Sequence, residues 1–221
     1  MPTKTKTRKN KQSKQSQQSN RQIICQDAMK WLTSQSNLDC IVTSVPEMEE
    51  VKLNAKDYEE FLKEAAKKCM NAVKDTGYCI FLQTDRKYKG WIDKSYIISD
   101  AACELDIRMI WHKIALRQAV GTSGLFRPTF SHMLCYSKKG TTGAVFPDVI
   151  ERGKVTYENA FGIEAVKAVL KYVKAQGAKT VVDPFVGSGT TVALANQIGL
   201  KGIGVDIDPK QCKKALALVL E

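Results

Sequence analysis

The sequence predicts an α/β domain built on a largely parallel, twisted sheet, and three stretches carry that prediction. Near the C-terminus, Thr180-Val181-Val182 runs into Asp183-Pro184-Phe185-Val186-Gly187-Ser188-Gly189-Thr190-Thr191. The helical pattern Val192-Ala193-Leu194-Ala195-Asn196 follows, and then a second apolar run, Gly202-Ile203-Gly204-Val205-Asp206. Strand, glycine turn, helix and strand therefore succeed one another. Near the N-terminus, Ile23-Ile24-Cys25-Gln26-Asp27 leads into Ala28-Met29-Lys30-Trp31-Leu32 and then Asp39-Cys40-Ile41-Val42-Thr43, the same alternation. Between these halves, Phe61, Leu62, Ala65, Cys69 and Val73 fall on or near one face of a helix over Tyr58 to Val73. Gly77 breaks that pattern, and Tyr78-Cys79-Ile80-Phe81-Leu82 reads as a buried strand.

The C-terminal turn has the chemistry of a nucleoside site. Glycine tolerates positive φ and lets the backbone approach a ligand closely. The helix N-terminus beyond it offers free N–H groups. Asp206, at the end of the next strand, is placed to hydrogen-bond ribose hydroxyls.

The whole segment, Asp-Pro-Phe-x-Gly-Ser-Gly-Thr-Thr over residues 183–191 and then Ile203-Gly204-Val205-Asp206, resembles the S-adenosylmethionine (SAM) site of the N6-adenine/N4-cytosine DNA methyltransferases. The resemblance covers about residues 22–218. It implies a Rossmann-like, SAM-dependent methyltransferase fold in the permuted (β) order, with the catalytic half first and the SAM half last. It implies that Phe185, Gly187 and Gly189 wrap the methionine and ribose end of SAM, within a pocket segment that includes Asp183, Pro184, Ser188, Thr190 and Thr191. Asp206 would hold the ribose. Asp27 matches the position that contacts the adenine amino group, and it also suits a helix N-cap for Ala28 onward. The His-Pro-x-x-Lys-Pro-like stretch common in the family is replaced here by Thr156-Tyr157-Glu158-Asn159-Ala160-Phe161-Gly162, followed by a helix over Ile163 to Ala175.

The permuted order places the catalytic motif after the second strand, at Ser44-Val45-Pro46-Glu47. An exocyclic amine is a weak nucleophile because its lone pair is delocalised into the base. Acceptors on its protons favour the charge-bearing transition state. The Ser44 hydroxyl and the Val45 carbonyl can supply them, while Pro46 holds the turn. The family's fourth residue is aromatic and stacks on the extruded base. Glu47 cannot stack, and base–aromatic stacking is worth roughly 1–3 kcal/mol. Three readings stay open: a ring from Tyr88, Trp91 or Phe126 takes over; Glu47 binds a donor group on a different substrate; or the chain is a degenerate or partner-dependent subunit.

Two further strands are expected, Ile107 to Leu116 and His132 to Ser137, as the family's terminal antiparallel pair. The loop Gly121 to Pro128 between them is expected to face substrate. Arg86, Lys87, Tyr88, Lys89 and Trp91 mix cations with rings just after a strand, which suits phosphate neutralisation and stacking, or equally a solvated loop. His112 and His132, the two histidines, lie far apart in sequence and suggest no metal site. Trp31 and Trp111 read as packing residues.

Charge agrees with a polyanionic partner: the formal net charge is +11. Seven of those cations, and no acidic residue, fall in residues 1–21; without them the rest carries +4. That segment is too polar to bury a core, so a disordered basic tail over 1–21 and a single domain over 22–221 are expected. The tail can grip phosphates, DNA more readily than RNA given the resemblance, or act as a nuclear-type signal. No apolar run is long enough to span a bilayer, and no secretory leader precedes the domain. Seven scattered cysteines fit a reducing intracellular compartment, nucleus and cytoplasm being equally compatible. Segments 84–98 and 138–160 are the only spare lengths for target recognition, which leaves low sequence specificity or a second methyltransferase subunit as alternatives.

Overall fold

The computed structural model describes residues 20–87, 90–143, 146–157 and 160–220. Among them, eight strands form one sheet: β1 (Arg21–Cys25), β2 (Leu38–Thr43), β3 (Val73–Gln83), β4 (Arg108–Leu116), β5 (Phe130–Ser137), β6 (Val149–Glu151), β7 (Thr180–Asp183) and β8 (Lys201–Asp206). Their spatial order is β1-β8-β7-β2-β3-β5-β4-β6. All neighbouring pairs are parallel except β3 with β5 and β5 with β4, so β5 alone runs against the rest. This is the largely parallel α/β sheet that the sequence predicts, in permuted order: β7, from the C-terminal half, pairs directly with β2, from the N-terminal half.

Alternation along the strands sends neighbouring side chains to opposite faces, and each face is covered by helices. Ile41, Cys79 and Phe81 pack beneath α1 (Ala28–Thr33), α3 (Ala55–Ala72) and α4 (Lys94–Glu104). Cys40, Val42, Ile80 and Leu82 pack beneath α5 (Ile163–Ala175) and α6 (Thr190–Gln197). The short α2 (Met48–Val51) follows β2, and α7 (Pro209–Ala217) closes the chain beside β1 and β8. The long α3 forms where the sequence predicts a helix, for two local reasons. The Asn54 side chain accepts from Asp57 N at the N-terminus, and Tyr58, Leu62, Ala65, Cys69 and Ala72 recur on the buried stripe.

Two expectations need correcting. The sequence assigns Arg21 to the basic tail; the structure makes it the first residue of β1. Its guanidinium is buried, with Nε donating to Asn196 Oδ1 at 3.0 Å and Nη1 to the carbonyls of Ala215 (2.8 Å) and Leu218 (2.7 Å). It ties the first strand to the last helices. Residues 1–19, with the other tail cations, lie outside the described residues. The stretch 84–98 is not all spare length either. Asp93 caps α4 through its side chain, and Lys94 and Ile98 are buried in the core.

Candidate active site

The C-terminal ends of β2, β7 and β8 meet at the point where the two halves of the chain join, the switch-point position at which open α/β sheets bind ligands. A cavity of about 510 Å³ lies there. Its walls include Ser44, Val45, Pro46 and Glu47 from the turn after β2, Asp183, Pro184, Phe185 and Gly187 from the turn after β7, Thr190 and Thr191 from α6, Asp206 from β8, and Asp27 from the N-cap of α1. The two motifs, read from opposite ends of the chain, therefore share one cavity. Ser188 and Gly189 of the candidate cofactor set do not line it.

Backbone geometry explains the glycines. Gly187 has φ +52° and Gly189 φ +94°, and a Cβ on Gly189 would stand 2.6 Å from Ala215 Cα. Gly189 thus lets α6 close on α7, while Gly187 turns its N–H into the carboxylate of Asp206 (3.0 Å to Oδ2). Asp206 Oδ1 accepts from Asp208 N at 2.8 Å. Burial holds the Asp206 carboxyl above the usual carboxylate range, with these backbone donors opposing the shift. Asp27 serves as the expected N-cap, accepting from Lys30 N at 3.0 Å, and still faces the cavity.

Asp183 is buried in the floor. Thr43 Oγ1 donates to its Oδ1 at 2.7 Å and Phe185 N at 3.3 Å. Burial outweighs these donors and pushes the carboxyl up to about 6. The folded chain thus holds this proton more tightly than the unfolded chain does. Its contribution to stability is largest below the unfolded value of about 4 and is lost as pH rises through about 6. Asp183→Asn keeps the acceptor without the charge. Relative to this variant, the wild type is expected to gain about 3 kcal/mol between pH 7 and pH 4, read by urea unfolding across that range. Parallel pH profiles of the two proteins would contradict the assignment.

The tetrapeptide is fixed by buried groups. Tyr58, fully buried, donates its hydroxyl to Pro46 O at 3.0 Å. Glu47 begins α2 with a reciprocal capping box, its N–H donating to Glu50 Oε2 at 2.8 Å. Its carboxylate lies 2.8 Å from Lys94 Nζ and 3.4 Å from Arg127 Nη1, and the Lys94 side chain is 0% exposed. Burial pulls the Lys94 ammonium below its ordinary pKa while Glu47 opposes that shift. Glu47 thus serves as the counter-ion of a buried lysine. Ser44 is exposed to the cavity.

The loop after β3 is partly committed to other contacts. Arg86 is ion-paired with Glu49. Lys87 Nζ donates to Gly124 O at 3.1 Å and sits 5.7 Å over the Trp91 ring, which is 53% exposed. Phe126 is 56% exposed. Tyr88 and Lys89, like Asn159, lie outside the described residues. Trp31 and Trp111 are packed in the core, as the sequence suggests.

Sequence separation hid one constellation. Antiparallel pairing of β4 with β5 brings His112 Nε2 within 2.8 Å of His132 Nδ1, and His132 Nε2 lies 3.1 Å from the buried Asp85. Burial and the second imidazole both lower the His112 pKa. Asp85 Oδ1 accepts from Lys94 N at 3.0 Å, so this chain of groups ends against the lysine that holds Glu47. Only the strand register, which sequence periodicity leaves open, makes the pair visible. No group of three metal-ligating side chains occurs among the described residues. Also missed were Tyr58 and Lys94, two buried residues whose polar ends point at the catalytic turn.

Residues 151–217 match the model of the N6/N4 methyltransferase family, described as DNA methylase. A stretch of 55 residues is 36% identical to the Type II methyltransferase M.BsoBI of Geobacillus stearothermophilus, covering 25% of this chain and 11% of that protein. The match therefore takes in a small part of that relative's length. Among solved structures, the PvuII DNA methyltransferase (cytosine-N4-specific) superposes with a TM-score of 0.74 at 13% identity, over 90% of this chain and 86% of that one. The DNA modification methylase TTHA0409 from Thermus thermophilus, complexed with S-adenosyl-L-methionine, gives 0.68 at 16% identity, over 88% and 91%. At such identities these likenesses establish the fold. By that fold and by the family match over its C-terminal third, the chain belongs to the N6-adenine/N4-cytosine DNA methyltransferase family.

Proposed function

We propose that the chain transfers a methyl group from SAM to an exocyclic amino group of a base in DNA, N6 of adenine or N4 of cytosine. The observation that carries this reading is the single cavity in which Ser44 to Pro46 face the glycine turn at Asp183–Gly187 and Asp206. The cavity suits the cofactor. Its volume is that of a small-molecule site, Gly187 leaves room for close approach, and acidic groups at Asp27 and Asp206 face apolar walls from Ala28, Phe185 and Ile207. SAM, when bound, supplies an electrophilic methyl group. The chain's own residues do the rest. Asp206 accepts from the ribose hydroxyls, and Asp27 meets the adenine end. Ser44 Oγ and the Val45 carbonyl accept from the amine and support the positive charge that develops on it.

A base must leave its stack to reach this depth. Lys87, with Trp91 beneath it, is the described contact best suited to a strand, since a cation and an exposed ring serve phosphate and base together. Arg86, already paired with Glu49, is a weaker one. The seven cysteines, all free, support a reducing compartment. No helix among the described residues is long and apolar enough to cross a membrane.

Ser44→Ala tests the reading. Methyl transfer is expected to fall on the order of 100-fold, as for loss of one aimed hydrogen-bonding group, with the dissociation constant for SAM within about twofold of wild type. Undiminished transfer in that variant sinks the catalytic assignment.

A further inference from the structure

At its Ser44 end the main cavity continues into a second recess of about 30 Å³. Ser44, Glu47, Ala160 and Phe161 line both, so the recess lies on the acceptor side of the site. Much of its remaining wall is cationic, formed by Arg117, Arg127 and Arg152.

The fold brings these arginines together from three separate places. Arg117 and Arg152 follow directly on Leu116 and Glu151, the last paired residues of β4 and β6. Arg152 N donates to Leu116 O at 3.0 Å and Arg117 N to Thr129 O at 2.8 Å, which anchors both backbones. Arg152 O in turn accepts from Glu164 N (3.0 Å) and Ala165 N (3.3 Å) in the first turn of α5. Arg127 ends the glycine loop and reaches Glu47. The hydroxyls of Thr84 and Ser131, 2.6 Å apart, complete the lining.

The charges in this recess do not balance. Glu47 is its one carboxylate among the described residues, and it is already engaged by Lys94 at 2.8 Å as well as by Arg127. Arg117 and Arg152 form no ion pair with a described residue, whereas Arg127 does. Burial, and then repulsion from Arg152 and Arg127, hold Arg117 below the ordinary guanidinium pKa. An oxyanion relieves that repulsion, and guanidinium forks match phosphate oxygens in geometry as well as charge. A volume near that of one water molecule admits an oxygen of such an anion but no ring.

We propose that Arg117, Arg127 and Arg152 form a phosphate subsite beside Ser44, holding a backbone phosphodiester next to the nucleotide being methylated. The proposal rests on the nucleic-acid reading above. Every nucleotide carries this group, so the subsite fixes the depth and orientation of the strand without reading sequence. That suits a chain with little spare length for target recognition.

The test uses the full chain and a fluorescent single-stranded 12-mer containing adenine and cytosine, with binding measured from low to moderate salt. Arg117→Gln with Arg152→Gln is expected to weaken binding about tenfold and to flatten the slope of log K against log salt by about 0.7 for each phosphate left without a guanidinium. Arg117→Lys with Arg152→Lys should recover most of the slope, and SAM affinity should stay at the wild-type value in both. Wild-type slope and affinity in the glutamine pair overturn the subsite and leave the methyl-transfer reading standing. On the wild-type chain, the same strand should shield Arg117 and Arg152 from an arginine-directed dicarbonyl, read by peptide mass. Unshielded arginines on a chain that has bound the strand overturn the proposal even where the glutamine pair fails to fold. A wild-type chain that binds SAM but no strand, with inorganic phosphate still shielding these arginines, overturns the phosphodiester assignment in favour of a small phosphorylated acceptor.

Discussion

Glu47→Ala is expected to destabilise the fold by about 3–5 kcal/mol, the range for removing one partner of a buried ion pair. Lys94 is fully buried, lies 5.6 Å from the Tyr58 ring centre and meets Glu47 at 2.8 Å. Without Glu47 its charge has no nearby counter-ion apart from the more distant influence of Asp85. For a chain of this size the loss corresponds to a melting temperature lower by roughly 6–20 °C. Lys94→Met combined with Glu47→Leu is expected to recover much of that loss, because an apolar pair of similar volume removes both desolvation costs. Replacing Glu47 with tyrosine, the family's kind of residue, should destabilise as the alanine does and should not raise activity. Thermal melts of the four proteins check this. A single Glu47 variant as stable as wild type would show that the carboxylate is not structural.

Asp206→Ala carries the second large effect. Its carboxylate accepts from Gly187 N at 3.0 Å and Asp208 N at 2.8 Å, so it shapes the turn that borders the cavity as well as facing it. Hydrogen bonds to a charged acceptor are worth about 1.5–3 kcal/mol each. SAM affinity is therefore expected to fall about 10- to 100-fold, measured by calorimetry. Asp206→Asn, which keeps one acceptor oxygen, should fall between alanine and wild type. Unchanged SAM binding in the alanine variant would remove Asp206 from the site.

The sheet and the SAM half were legible because their signals are local. Strand, glycine turn, helix and strand over residues 180–206 appear almost residue for residue, and Asp27 is both cap and cavity wall. The helix over Ile163–Ala175 was equally plain, having a strong apolar stripe. What sequence alone left hidden depends on long-range register. His112 and His132 meet only once β4 and β5 pair. Lys94 reads as a surface lysine until α4 is packed against α3, and α4 itself has a weak apolar stripe that gives little periodic signal. Glu47 reads as a lost aromatic until Lys94 and Arg127 are placed around it. Arg21 reads as one more tail cation until its guanidinium is seen among the carbonyls of the C-terminal helix.

These placements change the meaning of the tetrapeptide. Its fourth position has passed from stacking on the acceptor to holding the turn, so the first three positions carry the chemistry. The most direct test is to incubate the purified full chain, and its Ser44→Ala variant, with tritium-labelled SAM and separate pools of single- and double-stranded DNA and RNA. SAM binding would be confirmed in the same preparations. The account predicts label in a DNA pool with the wild type and far less with the variant. A wild-type chain that binds SAM yet labels no pool, or a variant that labels as fast as wild type, would contradict it.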